Sequence, residues 1–188
     1  MNKNEFDEKI LGRMTAWATP NDVINKVGTR LIGHRPEIAP KAFLNVVYAP
    51  LNETEIREFE SRLQFRLPNQ FKAFLSVANG LICYSGSLKV MGYIPKDRKY
   101  ESHVHNYPSD AYIPNCSARV KGMREKDFIV GFYKEDGSYA LVNGDGFVER
   151  VSVKGDSKII SQWDNFDSWL TGEILRLDEL FRSKMILS

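Results

Sequence analysis

The sequence predicts an α+β fold: a mainly antiparallel sheet of about four to six strands flanked by helices, with a helical extension at the N-terminus. Three observations carry that reading. Leu51 to Leu81 spells out two short helices with their starts and a stop, Phe128 to Val153 alternates strand-forming runs with tight-turn residues, and Asp164 to Phe181 repeats apolar residues at helical spacing. The chain has 188 residues, 43% hydrophobic and 12% aromatic, which suits one domain with a real core and excludes a disordered chain.

Residues 5 to 17 place Phe6, Ile10, Leu11 and Met14 at helical spacing, and residues 21 to 32 do the same with Val23, Ile24, Val27 and Leu31, so two amphipathic helices are expected. Gly33 to Pro40, GHRPEIAP, reads as a linker because glycine and proline break both periodic patterns. Residues 1 to 42 are therefore read as an added helical segment and residues 43 to 188 as the main domain. The segment could pack on the domain, cover a sheet edge or mediate self-association.

In the helical hairpin, Asn52 and Glu55 form a capping box, satisfying each other's free amides at the first turn. Ile56, Phe59 and Leu63, with Glu60 beside them, give the buried stripe, and Glu53, Arg57, Glu58 and Arg62 face water. Pro68 suits the first turn of a second helix, whose buried face is Phe71, Phe74, Leu75 and Ala78. Asn79-Gly80 should end it, since both residues tolerate the left-handed cap.

Leu88 to Ile94 reads as a strand followed by a long polar connection with prolines at 95, 108 and 114. Phe128 to Tyr133 and Ser138 to Asn143 flank Lys134-Glu135-Asp136-Gly137, a β-hairpin signal. Asn143 to Gly146 forms a second turn into Phe147 to Val153, whose alternation marks a half-buried strand. Asp164 is placed to cap a last helix with Phe166, Trp169, Leu170, Ile174, Leu177 and Phe181 on its apolar face.

The order of these signals resembles the SUKH superfamily. The likeness begins at Ala49-Pro50-Leu51 and runs through Glu55-Ile56, Glu60 and Leu67-Pro68 to Phe71-Lys72-Ala73-Phe74-Leu75 and Asn79-Gly80. It continues at Asp127 to Gly131, Tyr139 to Val142, Gly146 to Val151 and Phe166 to Leu170, covering about residues 46 to 175. The superfamily includes fungal cell-wall assembly regulators and bacterial immunity proteins. The resemblance therefore implies an immunity protein that binds a cognate polymorphic toxin, often a nuclease, and blocks it without covalent chemistry. A regulatory interaction module is the alternative it implies.

Net charge is +2, but Lys89 to Lys126 holds eight basic and four acidic residues while Asp127 to Ser188 holds seven basic and eleven acidic. No strongly cationic face with stacking motifs is evident, which disfavours direct nucleic-acid binding. MNKNEFDEKI lacks an apolar signal core and no long apolar run follows, so the expectation is a cytoplasmic protein away from membranes, with homo-oligomers left open. Cys83 and Cys116 lack CxxC spacing and are expected as free thiols, with one disulfide left open, and Cys83 as a small buried hydrophobe.

His103-Val104-His105 could point two imidazoles one way, with His34, Asp110 or Cys116 as a third ligand, but no metal spacing supports it. No nucleophile elbow, phosphate loop or dinucleotide fingerprint occurs. Glu135-Asp136 and Asp178-Glu179 read as solvated surface. No enzyme, cofactor or metal is expected, with a small enzyme using His103 and His105 as the remote alternative. The candidate partner surface is the 95 to 126 connection, with Arg98, Tyr100, His103, His105, Tyr107, Asp110 and Tyr112, because tyrosine and arginine bury large areas while keeping a hydrogen-bonding tip.

Overall fold

A computed structural model describes residues 1 to 96, 105, 107 to 153 and 158 to 186, the side chains of 185 and 186 excepted. Its centre is a nine-stranded antiparallel sheet in which every strand pairs with its neighbours in sequence. The strands are β1 (Val23–Ile24), β2 (Arg30–His34), β3 (Phe43–Val47), β4 (Leu81–Cys83), β5 (Leu88–Val90), β6 (Phe128–Tyr133), β7 (Tyr139–Val142), β8 (Val148–Val151) and β9 (Ile159–Trp163). The meander is thus longer than the expected four to six strands. β3, β4 and β9 carry no clear alternation in sequence, and their pairing is visible only in the folded chain.

The N-terminal helix forms as α1 (Lys3–Phe6), a π-turn (Asp7–Leu11) and α2 (Gly12–Thr15), opened by a capping box between Asn2 and Glu5. Phe6, Ile10 and Met14 are its buried stripe, and they join the main core. The helix expected over residues 21 to 32 does not exist. Asn25 accepts hydrogen bonds from the amides of Val27 and Thr29, Gly28 turns through φ +80°, and the segment becomes the β1–β2 hairpin. Gly33-His34, read as the start of a linker, completes β2. Local turn chemistry overrides an apolar spacing that fits a helix.

The helical hairpin, α3 (Glu53–Leu63) and α4 (Asn69–Leu75), follows β3, and the capping box of Asn52 and Glu55 is present with both bonds at 2.9 Å. Glu60 ties the two helices together, accepting from Lys72 Nζ at 2.9 Å and from the Leu67 amide at 3.2 Å. Asn79-Gly80 is not the stop of α4, which ends at Leu75. The Asn79 side chain instead grips the backbone of Tyr93, donating to its carbonyl at 2.7 Å and accepting from its amide at 2.8 Å, and Gly80 turns through φ +94° into β4.

After β9 the long helix α5 (Phe166–Ile186) crosses one face of the sheet. Its cap is Asn165, whose Oδ1 accepts from Ser168 N at 2.9 Å, and not Asp164. Phe166 and Trp169 join Phe71, Phe74 and Phe128 in a tilted and edge-on aromatic core. Asp178, expected on the surface, is 4% exposed, and accepts from Trp17 Nε1 at 2.7 Å, Tyr84 Oη at 3.2 Å and Arg182 Nε at 3.0 Å. That carboxylate fastens the N-terminal segment to α5. Asp136 is likewise engaged, pairing with Arg150 at 3.0 Å and capping the turn to Ser138.

Candidate functional site

The described helices α1 to α5 pack on one face of the sheet, where their residues share the main apolar cluster. The far face carries a second, smaller cluster of Leu31, Val46 and Tyr48 with Phe43 and Ile82, to which no helix contributes. Strand register builds that face. One row of paired residues runs across all nine strands: Val23, Leu31, Val46, Ile82, Lys89, Phe132, Tyr139, Val151 and Ile159. Paired residues of antiparallel strands project to the same side, so this row is apolar except at its centre, where Lys89 stands exposed.

The two flanks of the row are covered. On the β2–β3 side, His105 lies edge-on to Phe43 with ring centroids 6.1 Å apart, and Tyr107 sits beside Tyr48, whose hydroxyl is pushed upward by burial and by that neighbour. On the other side, Gly122 to Arg124 and Asp127 lie over Tyr139, Leu141, Glu149 and Val151 and leave a cavity of only about 150 Å³. Arg124 fastens this strap by binding Asp127 at 3.0 Å and Glu149 at 2.7 Å, while Arg119 donates to the carbonyls of Arg124 at 2.7 Å, Glu125 at 3.1 Å and Asp127 at 3.3 Å.

Between the covers lies an open groove of about 480 Å³. Phe43, Ile82 and Phe132 give it apolar walls, Ile38 and Ala42 form one lip, and Lys89, Lys134 and His105 are its charged or titratable members. Among the described residues no carboxylate lines it. His105 presents Nε2 to the carbonyl oxygen of Lys41 at 3.1 Å, and its buried Nδ1 has no partner among the described residues. His34, tilted against Phe43 at 5.1 Å, meets the Pro40 carbonyl at 3.0 Å, and its Nδ1 likewise has no partner among the described residues.

The residues proposed from sequence fall into three groups. Arg98, Tyr100 and His103 lie outside the described residues. His105 and Tyr107 reach the far face, and Tyr107 is 42% exposed. Asp110 and Tyr112 turn to the helical side, where Arg62 stacks 3.9 Å over the Tyr112 ring and lies 3.9 Å from Asp110. Burial pushes the Asp110 carboxyl up, partly offset by the Tyr112 amide and Arg62. The walls Ile82, Lys89 and Phe132 were not found from sequence because they come from three strands; the one local signal was Lys89 between buried Leu88 and Val90.

Among the described residues no group of three or more His, Cys, Asp or Glu side chains is arranged to hold a metal ion. Cys83 is fully buried and burial pushes its thiol far up; Cys116, also unbonded, is raised by burial and points to the Leu63 carbonyl at 3.7 Å. No described helix is long and apolar enough to cross a membrane.

A helix-backed antiparallel sheet whose other face carries an apolar groove between two loop covers defines an α+β module of one sheet with a single helical layer. The model of the SMI1 / KNR4 family (SUKH-1) matches residues 50–172, most of the chain, and the protein belongs to that family. No individual curated protein is similar enough to be matched with it.

Proposed function

We propose that this protein is an immunity protein that neutralises a cognate bacterial toxin by stoichiometric, non-covalent binding in the cytoplasm. The observation that carries a binding role is the uncovered centre of the far-face row: half-buried Ile82 and Phe132 on either side of exposed Lys89, in a groove with apolar walls. Apolar surface left open on a rigid sheet and rimmed by polar groups is what association uses, and it requires no catalytic step. Family membership supports the immunity role, since the SUKH superfamily includes such proteins.

The test is made in cells that carry the neighbouring toxin gene. Co-expression with this protein should restore growth after toxin induction, and a tagged copy should retain the toxin domain in equal amount. Unchanged killing by every toxin encoded beside it refutes the proposal. Recovery of cell-wall synthesis or signalling proteins instead points to a regulatory module like the fungal members.

A further inference from the structure

The groove's composition narrows the chemistry of what it binds. Its apolar walls call for an aliphatic or aromatic side chain, and about 480 Å³ lies within the roughly 300–1,000 Å³ range of sites that enclose a compact group. Among the described residues its formal charge is of one sign: Lys89 rises from the centre of the row and Lys134 from the end of β6, both exposed. Neither ammonium group has an ion pair among the described residues, although acidic side chains elsewhere are engaged by Arg124, Arg150, Arg176 and Arg182. Two unneutralised cations beside an apolar gap complement a segment that carries carboxylates next to an apolar anchor.

We infer that the far-face groove binds an acidic segment of the partner, seating one apolar side chain between Ile82 and Phe132 while neighbouring carboxylates meet Lys89 and Lys134. This deepens the partner-binding reading above and rests on it. It also sets the mode of inhibition. A basic site does not imitate nucleic acid, so if the toxin is a nuclease the contact falls on an acidic part of it and away from the cationic surface that holds phosphate.

The probe is a random peptide library displayed on phage, selected on the full chain and counter-selected on the K89E/K134E variant. Enriched peptides should place Asp or Glu beside Phe, Leu or Ile. A synthetic copy should bind about tenfold or more weakly to K89E/K134E and weaken as salt rises from about 0.05 to about 0.5 M. Phe132→Ala should weaken it by a similar factor. Both lysines are exposed, so the charge-reversed variant should keep the wild-type circular dichroism spectrum and melting temperature. Peptides without acid enrichment, affinities within about twofold across the variants, or no enrichment at all overturn the inference. The selection uses no toxin, so its failure leaves the immunity proposal standing, and failed protection in cells leaves the groove's chemistry standing.

Discussion

Replacing Asn79 by alanine tests how the fold holds the connection that frames the groove. Asn79 is 1% exposed, and its side chain makes both bonds of a two-point clamp to the Tyr93 backbone, at 2.7 and 2.8 Å. The alanine variant strands a buried amide and a buried carbonyl, each costing about 1–3 kcal/mol, so the expected loss is about 2–6 kcal/mol. The backbones are already in close contact here: a Cβ on neighbouring Gly92 would lie 2.3 Å from the Asn79 carbonyl oxygen. For a chain of this size the loss corresponds to a fall of about 4–24 °C in melting temperature. Urea unfolding followed by circular dichroism and tryptophan fluorescence measures it. Asn79→Asp keeps the acceptor but sets a carboxylate against the Tyr93 carbonyl, so it should be no better than alanine near neutral pH and regain stability in acid, where the protonated group can donate. A loss below about 1 kcal/mol for the alanine variant refutes the clamp as a source of stability.

Two further outcomes follow from buried charges. Arg124→Ala leaves the carboxylates of Asp127 and Glu149, with side chains 4% and 7% exposed, without their shared cation; because the arginine itself is 58% exposed, the expected cost in urea unfolding is about 1–3 kcal/mol, part of it recovered when Glu149→Gln is added. At Asp178, burial pushes the carboxyl up but hydrogen bonds from Arg182, Trp17 and Tyr84 outweigh it and hold the group below its ordinary range. Its folded value lies below its unfolded one, so the stability it adds is present above about pH 4 and is lost as pH falls through the folded value. The difference in urea midpoint between wild type and Asp178→Asn should accordingly hold near neutral pH and close in acid.

The sequence made the scaffold legible where one local signal settles an element. Asn52 with Glu55 starts α3, Asp136-Gly137 makes the β6–β7 hairpin, and the spacing from Phe166 to Leu177 gives α5 its buried face. It misled where two patterns fit the same letters. Val23, Ile24, Val27 and Leu31 satisfy a helical stripe, yet a turn closed by Asn25 and Gly28 makes them a hairpin that leaves Val23 and Ile24 on the surface. Asn79-Gly80 has the chemistry of a helix stop, but a partner fourteen residues away takes the side chain. The site was the least legible part. Arg62 takes up Asp110 and Tyr112, Arg119 and Arg124 are used within the strap, and the walls Ile82, Lys89 and Phe132 meet only through register. Residue type marks what a loop could do; pairing decides which side chains remain free to do it.

The position of the groove follows from where the 95 to 126 connection is pinned. It leaves β5 on the helical side at Tyr93, held by Asn79, and reaches the far face at His105 and Tyr107. It returns to the helical side, where the buried Asn115 side chain donates to the carbonyls of Ala111 and Ile129 and accepts from the Ile129 amide. It then passes over β7 and β8 as the strap held by Arg124. The described parts of the connection on the far face, His105 with Tyr107 and the strap, therefore lie at opposite flanks of one row of side chains, and among the described residues its centre is open between them. Exposed residues at the groove, Lys89 and Lys134 above all, contribute nothing to either tether, so the partner chemistry can change while the cost of folding stays the same. Loosening a tether has the opposite effect: Asn79→Ala removes no groove residue, yet it should weaken partner binding because it frees the start of the connection that walls the groove.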